Sequence, residues 1–428
     1  MTISNSGSKS GTTVRIDEHK LLADLETLGK IGLGADGGIT RKALSREDAA
    51  ARAYVADRMR AAGLDVRHDE VGNLRGRRKG ADGATWESRE PVVMSGSHLD
   101  SVPSGGKLDG PLGVVGAVCA LEALDAAGVT TRRPLEVIVF VGEEGSRFRR
   151  GTIGSAAVSG HVSVESVLAL VDPDGVVYRD ALATYGDAGA PIAAQAQAGA
   201  IHAFVELHVE QGGVLEAAEL PIGAVTAIAG LVQRTVTFLG DANHAGATPM
   251  NLRRDALLAA AEWALGIEHA AREVGGGAVG TIGKLTVEPG GKNIIPGRVD
   301  AICDLRAPSR ELLSALDDYV VSSLHGIGQK RGIELEQQLL QRVEPGPMHE
   351  PAISAVERGA AAAGLRSMRM PSGAIHDALH MAEIVPSSMI FVPSIGGKSH
   401  CPTEATDPKH LAQGVLALAH TLAILGND

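Results

Sequence analysis

The stretch from Pro91 to Glu144, PVVMSGSHLDSVPSGGKLDGPLGVVGAVCALEALDAAGVTTRRPLEVIVFVGEE, decides the fold. Pro91 to His98 is a short apolar run that ends in an imidazole, and Leu135 to Val141 is a second run of strand length. Between them Gly113 to Ala127 (GVVGAVCALEALDAA) is long and apolar enough for a buried helix. Strand, helix and strand so close together make a βαβ unit. Its strands read as continuous apolar runs because a parallel sheet is covered on both faces. The fold class expected is α/β, with a mixed, mainly parallel sheet and helices on both faces.

Working outward, Ala203–His208 and Ser388–Pro393 fit the same sheet. Ser45-Arg-Glu-Asp48 reads as the capped start of a helix through Val55 and Met59 that Gly63 ends. A closing helix, Lys409 to Leu425, carries Leu411, Val415, Leu418, Leu422 and Leu425 on one stripe. The texture changes between 230 and 343, where an alternating strand (Val232–Phe238), a helix (Asp255–Val274), two strand patterns (near Gly283–Val287 and Arg298–Arg306) and a helix (Ser309–Lys330) succeed one another. The order β-α-β-β-α predicts a smaller α+β domain, 230–343, inserted into a catalytic domain of 15–229 and 344–428, with a disordered polar tail over 1–14.

A chain of 428 residues is long for one domain, and 44% hydrophobic with 21% charged residues is an ordinary globular balance. Aromatic residues are only 3% and glycines number 54, so the core must be aliphatic. A net charge of −11 without a basic run argues against nucleic acid as a partner. No apolar run approaches the roughly 18 residues a membrane span needs, and the polar N-terminal residues do not read as a signal peptide. Three scattered cysteines, Cys119, Cys303 and Cys401, fit a reducing cytoplasm.

The polar residues fall where a parallel sheet places its ligands, beyond the carboxyl ends of strands. His98 and Asp100 end one strand, Glu143 and Glu144 the next, and His208 and Glu210 another. His400 follows the last strand, and Asp109 sits in the glycine-rich loop before the buried helix. Imidazole and carboxylate together suit a borderline divalent ion, and one carboxylate can bridge two. Gly32-Leu-Gly-Ala-Asp-Gly37 matches a dinucleotide fingerprint but follows a helical stretch rather than a strand, which argues against that use.

In order along the chain, GSHLDSVPSGGKLDGPLGV (Gly96–Val114), EEGSRF (Glu143–Phe148), ELHVEQG (Glu206–Gly212), HAGATPM (His244–Met250), NIIPGRVDAICDLR (Asn293–Arg306), PSGAIHDA (Pro371–Ala378) and SHCPTE (Ser399–Glu404) resemble the N-carbamoyl-L-amino-acid hydrolases. Allantoate amidohydrolases and β-ureidopropionases are close relatives within the dinuclear aminoacylase/carboxypeptidase superfamily. The resemblance implies two divalent metal ions per subunit (Mn, Co, Ni or Zn) bridged by Asp109, with His98 and His208 on one ion and Glu144 and His400 on the other. It implies Glu143 as general base, Asp100 as the group orienting His98, and His244 as a donor to the oxyanion. Gln211, Asn293, Arg306, Gly373 and His244 would bind a small ureido carboxylate. It further implies a homodimer through the inserted domain, with His244 and Asn293 serving the neighbouring subunit; the alternative is that the insertion is simply a lid. His376 is read as a site-lining or structural residue, Cys401 as a small filler, and His380 receives no role.

Overall fold

The computed structural model describes residues 13–184 and 191–428. The tail expected over 1–14 lies outside the described residues except for its last two. The chain divides into two compact units, Met1–Thr226 with Met348–Met370 and His376–Asp428, and Ala227–Pro347 with Pro371–Ile375.

The first unit is built on a mixed sheet whose strands run side by side in the order Asp65–His68, Leu74–Arg78, Leu135–Phe140, Val92–His98, Ile201–Val209, Ser387–Val392, Ile222–Ile228. The central four, Leu135–Phe140 to Ser387–Val392, are mutually parallel, and the strands flanking them are antiparallel. Three of the four parallel strands are buried throughout, and Ile201–Val209 at every residue but His202, as the apolar runs required.

Side-chain alternation along Ile201–Val209 shows how the two faces are used. Leu207 meets Gly116 of the helix Pro111–Ala126 and Gly414 of Pro408–Leu425 on one face. Glu206 points to the other face, where its carboxylate accepts the N–H of Ala378 at the start of the short helix Ala378–Met381. Helices therefore cover both faces. The helix Arg46–Ala61 begins at Ser45, whose hydroxyl accepts the Asp48 N–H at 3.2 Å. Asp48 in return accepts the N–H of Leu44 and also holds Arg52. Arg52, itself buried, donates to Gly72, Val139 and Phe140 carbonyls, so it braces the strand end from which Glu143 and Glu144 emerge.

The second unit is a four-stranded antiparallel sheet in the order Glu334–Val343, Gly230–Leu239, Arg298–Ala307, Val279–Glu288. Its helices Ala256–Val274 and Arg310–Arg331 bury Trp263, Leu316 and Val320 against Val232, Val236, Val299 and Leu305. The strand Glu334–Val343 was not expected from the sequence. It is an edge strand, almost wholly exposed, with a register shift between Leu339 and Gln341, so it has no buried face to impose alternation. Among the described residues no helix is long and apolar enough to cross a membrane.

Candidate active site

The carboxyl ends of the parallel strands carry the chemistry. His98 closes Val92–His98, His208 lies one residue from the end of Ile201–Val209, Glu143 and Glu144 follow Leu135–Phe140, and His400 follows Ser387–Val392. Asp109, just before Pro111–Ala126, is common to two clusters. Ligand atoms of His98, Asp109 and His208 lie within 4.8 Å of one another, as do those of Asp109, Glu144 and His400.

Each oxygen of Asp109 serves one cluster. Oδ1 is 3.7 Å from His98 Nε2 and 3.2 Å from His208 Nε2; Oδ2 is 3.1 Å from His400 Nε2, which is 3.7 Å from Glu144 Oε2. The tautomers of the two buried rings follow from their other nitrogens. His98 Nδ1 donates to the Asp100 carbonyl and His208 Nδ1 to the Val209 carbonyl, each at 2.9 Å. In the neutral ring the lone pair then sits on Nε2, aimed at Asp109. His208 Nε2 is buried and makes no hydrogen bond despite its proximity to Asp109. A buried lone pair facing a carboxylate oxygen is repulsive unless a cation or proton lies between them. Two ligand atoms at about 2.1 Å from a tetrahedral ion stand about 3.4 Å apart, close to the spacing of these atoms. The donor set fits a pair of divalent ions bridged by Asp109.

Neighbouring groups hold this arrangement. Gly110 adopts φ 84°, and a Cβ there would lie 2.6 Å from the His98 ring. Glu404 accepts the backbone N–H groups of Leu108 and Asp109 at 2.8 and 3.1 Å and fixes the bridging loop. His400 and Gln211 both sit in the left-handed region, at φ 55° and 61°, a conformation that costs about 1–3 kcal/mol and is tolerated where a site demands it.

The environment is strongly acidic. Burial, then Glu144 and Asp377, push the Glu143 carboxyl well above its ordinary value. Burial and Asp109 raise Glu144 to about 7 against the opposing effect of His98 and His400. Burial alone would raise Asp109, but His208 and His400 outweigh it and leave its carboxyl well below the usual range. For His400, Asp109 raises the pKa to about 9; for His208, burial opposes Asp109 and the result is again about 9.

Three of the expected site residues already have partners within the chain. The Asp100 carboxylate does not hold His98, from whose Nδ1 it is 3.8 Å away. The backbone carbonyl does that, while the carboxylate accepts the N–H groups of Glu143 and Glu144 at 3.1 and 3.2 Å. Gln211 Nε2 donates to Asp109 Oδ2 at 2.9 Å. The Arg306 fork is partly engaged by Asp304, two residues back on its own strand, and its Nη1 donates to the Gly373 carbonyl at 2.9 Å.

Arg306, Gly373, His244 and Asn293 all belong to the second unit. The two-residue strands Asn243–His244 and Ile294–Ile295 pair antiparallel, and Asn293 accepts the Ala245 N–H. His244 Nδ1 accepts the N–H groups of Gly246 and Ala247 at 3.1 and 3.0 Å. Its proton therefore sits on Nε2, on an exposed ring able to donate.

Sequence reading assigned nothing to Glu404, Glu206 or Asp377, all buried. All three lie inside quoted motifs, and their burial as carboxylates was the missing signal. His376 packs edge-on against His208 with ring centroids 4.5 Å apart, and burial, then His208, hold its pKa well below the ordinary value. Cys401 is half-buried and contacts the Thr403 hydroxyl.

Comparison with known proteins finds a match to peptidase family M20/M25/M40 over residues 94–424. The N-carbamoyl-L-amino acid amidohydrolase of Geobacillus stearothermophilus is 42% identical over 95% of this chain and 98% of its own. The allantoate amidohydrolase of Bacillus subtilis is 37% identical, covering 93% and 95%. A solved amidase of the hydantoinase/carbamoylase family from Burkholderia multivorans superposes with a TM-score of 0.93 at 33% identity, over 97% and 99% of the two chains.

Proposed function

The chain belongs to peptidase family M20/M25/M40, and on that premise we propose that it is a metal-dependent amidohydrolase that cleaves N-carbamoyl-L-amino acids to the L-amino acid, ammonia and carbon dioxide. The observation that carries this reading is Asp109, whose two oxygens each face a separate imidazole-containing set. His98 and His208 would hold one ion and Glu144 and His400 the other, with Mn, Co, Ni or Zn all compatible with these donors. When bound, such a pair supplies a water of lowered pKa and positive charge against a developing oxyanion.

The remaining work falls to the chain. Glu143, whose Oε2 is 3.8 Å from His98 Nε2, accepts a proton from the attacking water and returns it to the leaving nitrogen. Asp100 fixes the Glu143 and Glu144 amides and so sets where both carboxylates point. A ureido carbon is a poor electrophile, so oxyanion stabilisation is the largest demand, and the His244 Nε2–H is a donor suited to it. Arg306 receives the substrate carboxylate, Gln211 and Asn293 supply neutral polar contacts, and Gly373 a backbone one. The enzyme works as a homodimer through its inserted domain, in the cytoplasm, on the support of family resemblance and of three unpaired cysteines.

Ammonia release from a panel of N-carbamoyl-L-amino acids, allantoate and β-ureidopropionate, with each cation restored to stripped enzyme, tests the reading. Turnover is expected on the carbamoyl-amino acids; turnover only on allantoate would favour the second reading, which rests on the Bacillus subtilis relative. No ammonia from any of them refutes both. Sedimentation velocity at micromolar protein tests the dimer.

A further inference from the structure

A second group of metal-competent side chains lies apart from Asp109. His161, in the turn after the helix Ile153–Ser159, meets His380 and Glu383, which stand three apart at the end of Ala378–Met381. The two nitrogens divide one carboxylate between them. His161 Nδ1 is 3.1 Å from Glu383 Oε2, and His380 Nδ1 is 3.0 Å from Glu383 Oε1. The imidazole rings are 4.5 Å apart, and the ligand atoms of all three residues lie within 4.8 Å of one another.

We propose that His161, His380 and Glu383 bind a further divalent cation of borderline softness, such as zinc, outside the centre at Asp109. Two imidazoles and a carboxylate are a common zinc donor set, and a fourth position open to water completes a tetrahedron. His-x-x-Glu spacing puts both ligands on one side of a helical turn. His380 Nε2 is already 3.0 Å from the Thr152 hydroxyl, the outer contact to oxygen that orients a metal-bound histidine. Burial, opposed by Glu383 and reinforced by His161 and Arg150, lowers the His380 pKa, which keeps the ring free of a competing proton. Arg150 is a cation near the ring and opposes the binding of a further positive charge there. Thr152 ties the cluster inward, since its N–H donates to the Glu143 carbonyl at 2.8 Å. An ion here clamps the end of Ala378–Met381 to the segment behind Glu143 and raises thermal stability.

Equilibrium dialysis of the full chain against zinc, read by total-metal analysis, measures the site directly. The wild type should hold one more equivalent of zinc than His161→Ala or Glu383→Gln, and zinc should raise its Tm further than theirs. That difference stands whatever the centre at Asp109 holds. His161 and Glu383 are exposed, so both variants should fold and keep turnover. If either variant binds as much zinc as the wild type, the site is a hydrogen-bonded cluster and the proposal is wrong.

Discussion

Glu143 and Glu144 are neighbours in sequence that face different partners. Glu144 reaches His400 and Asp109, whereas Glu143 comes nearest His98. Replacing Glu143 by Gln keeps shape and hydrogen bonding but removes the proton acceptor. Turnover should fall about 10²–10⁴-fold, with metal content by mass spectrometry unchanged; a retained kcat would take the base role away from it. Arg306→Lys loses the planar fork and the contact to the Gly373 carbonyl. Its KM should rise by tenfold or more, about 1.5–3 kcal/mol for a charged hydrogen bond, with kcat moving less. An unchanged KM would mean that this guanidinium serves Asp304 and the Gly373 carbonyl and does not hold the substrate.

At the level of elements, the apolar runs made the parallel strands legible because each is buried on both sides and cannot alternate. The polar edge strands Asp65–His68 and Glu334–Val343 were not legible: pairing of the backbone, rather than burial of side chains, makes them strands. The loop leading into Pro111–Ala126 depends on Gly110. Gly110→Ala brings a methyl against the His98 ring at a positive φ. We expect a well-folded protein by circular dichroism that binds less metal and loses activity in proportion; full occupancy would show that the His98 ring can yield.

For the whole molecule, metal and protons compete. In the metal-free chain His208 and His400 reach about 9 from an ordinary 6.5. Raised imidazole values stabilise the fold in full below about 6.5, and that contribution disappears as pH climbs through about 9. Loading the stripped protein with manganese at pH 8 should therefore release protons, with less release at pH 10, as read by an indicator dye. Between pH 6.5 and 9 the Tm of stripped protein should decline while that of loaded protein changes little. A Tm of stripped protein that rises over that range would contradict the pairing of these rings with Asp109.

The amino-acid order by itself determined the βαβ core and put His98, Asp100, Glu143, Glu144, His208, Glu210 and His400 at or after strand ends, because apolar periodicity and strand-end placement are local properties; the family resemblance picked His98, Glu144, His208 and His400 from them, with Asp109 from the glycine-rich loop, as metal ligands. It did not determine that the carbonyl of Asp100 orients His98 while its carboxylate holds two amides, nor that Glu404 fixes the bridging loop from 295 residues away. Those assignments depend on distances of a few ångströms between groups remote in the chain. Only the packed sheet, by bringing the ends of four parallel strands to one edge, decides them.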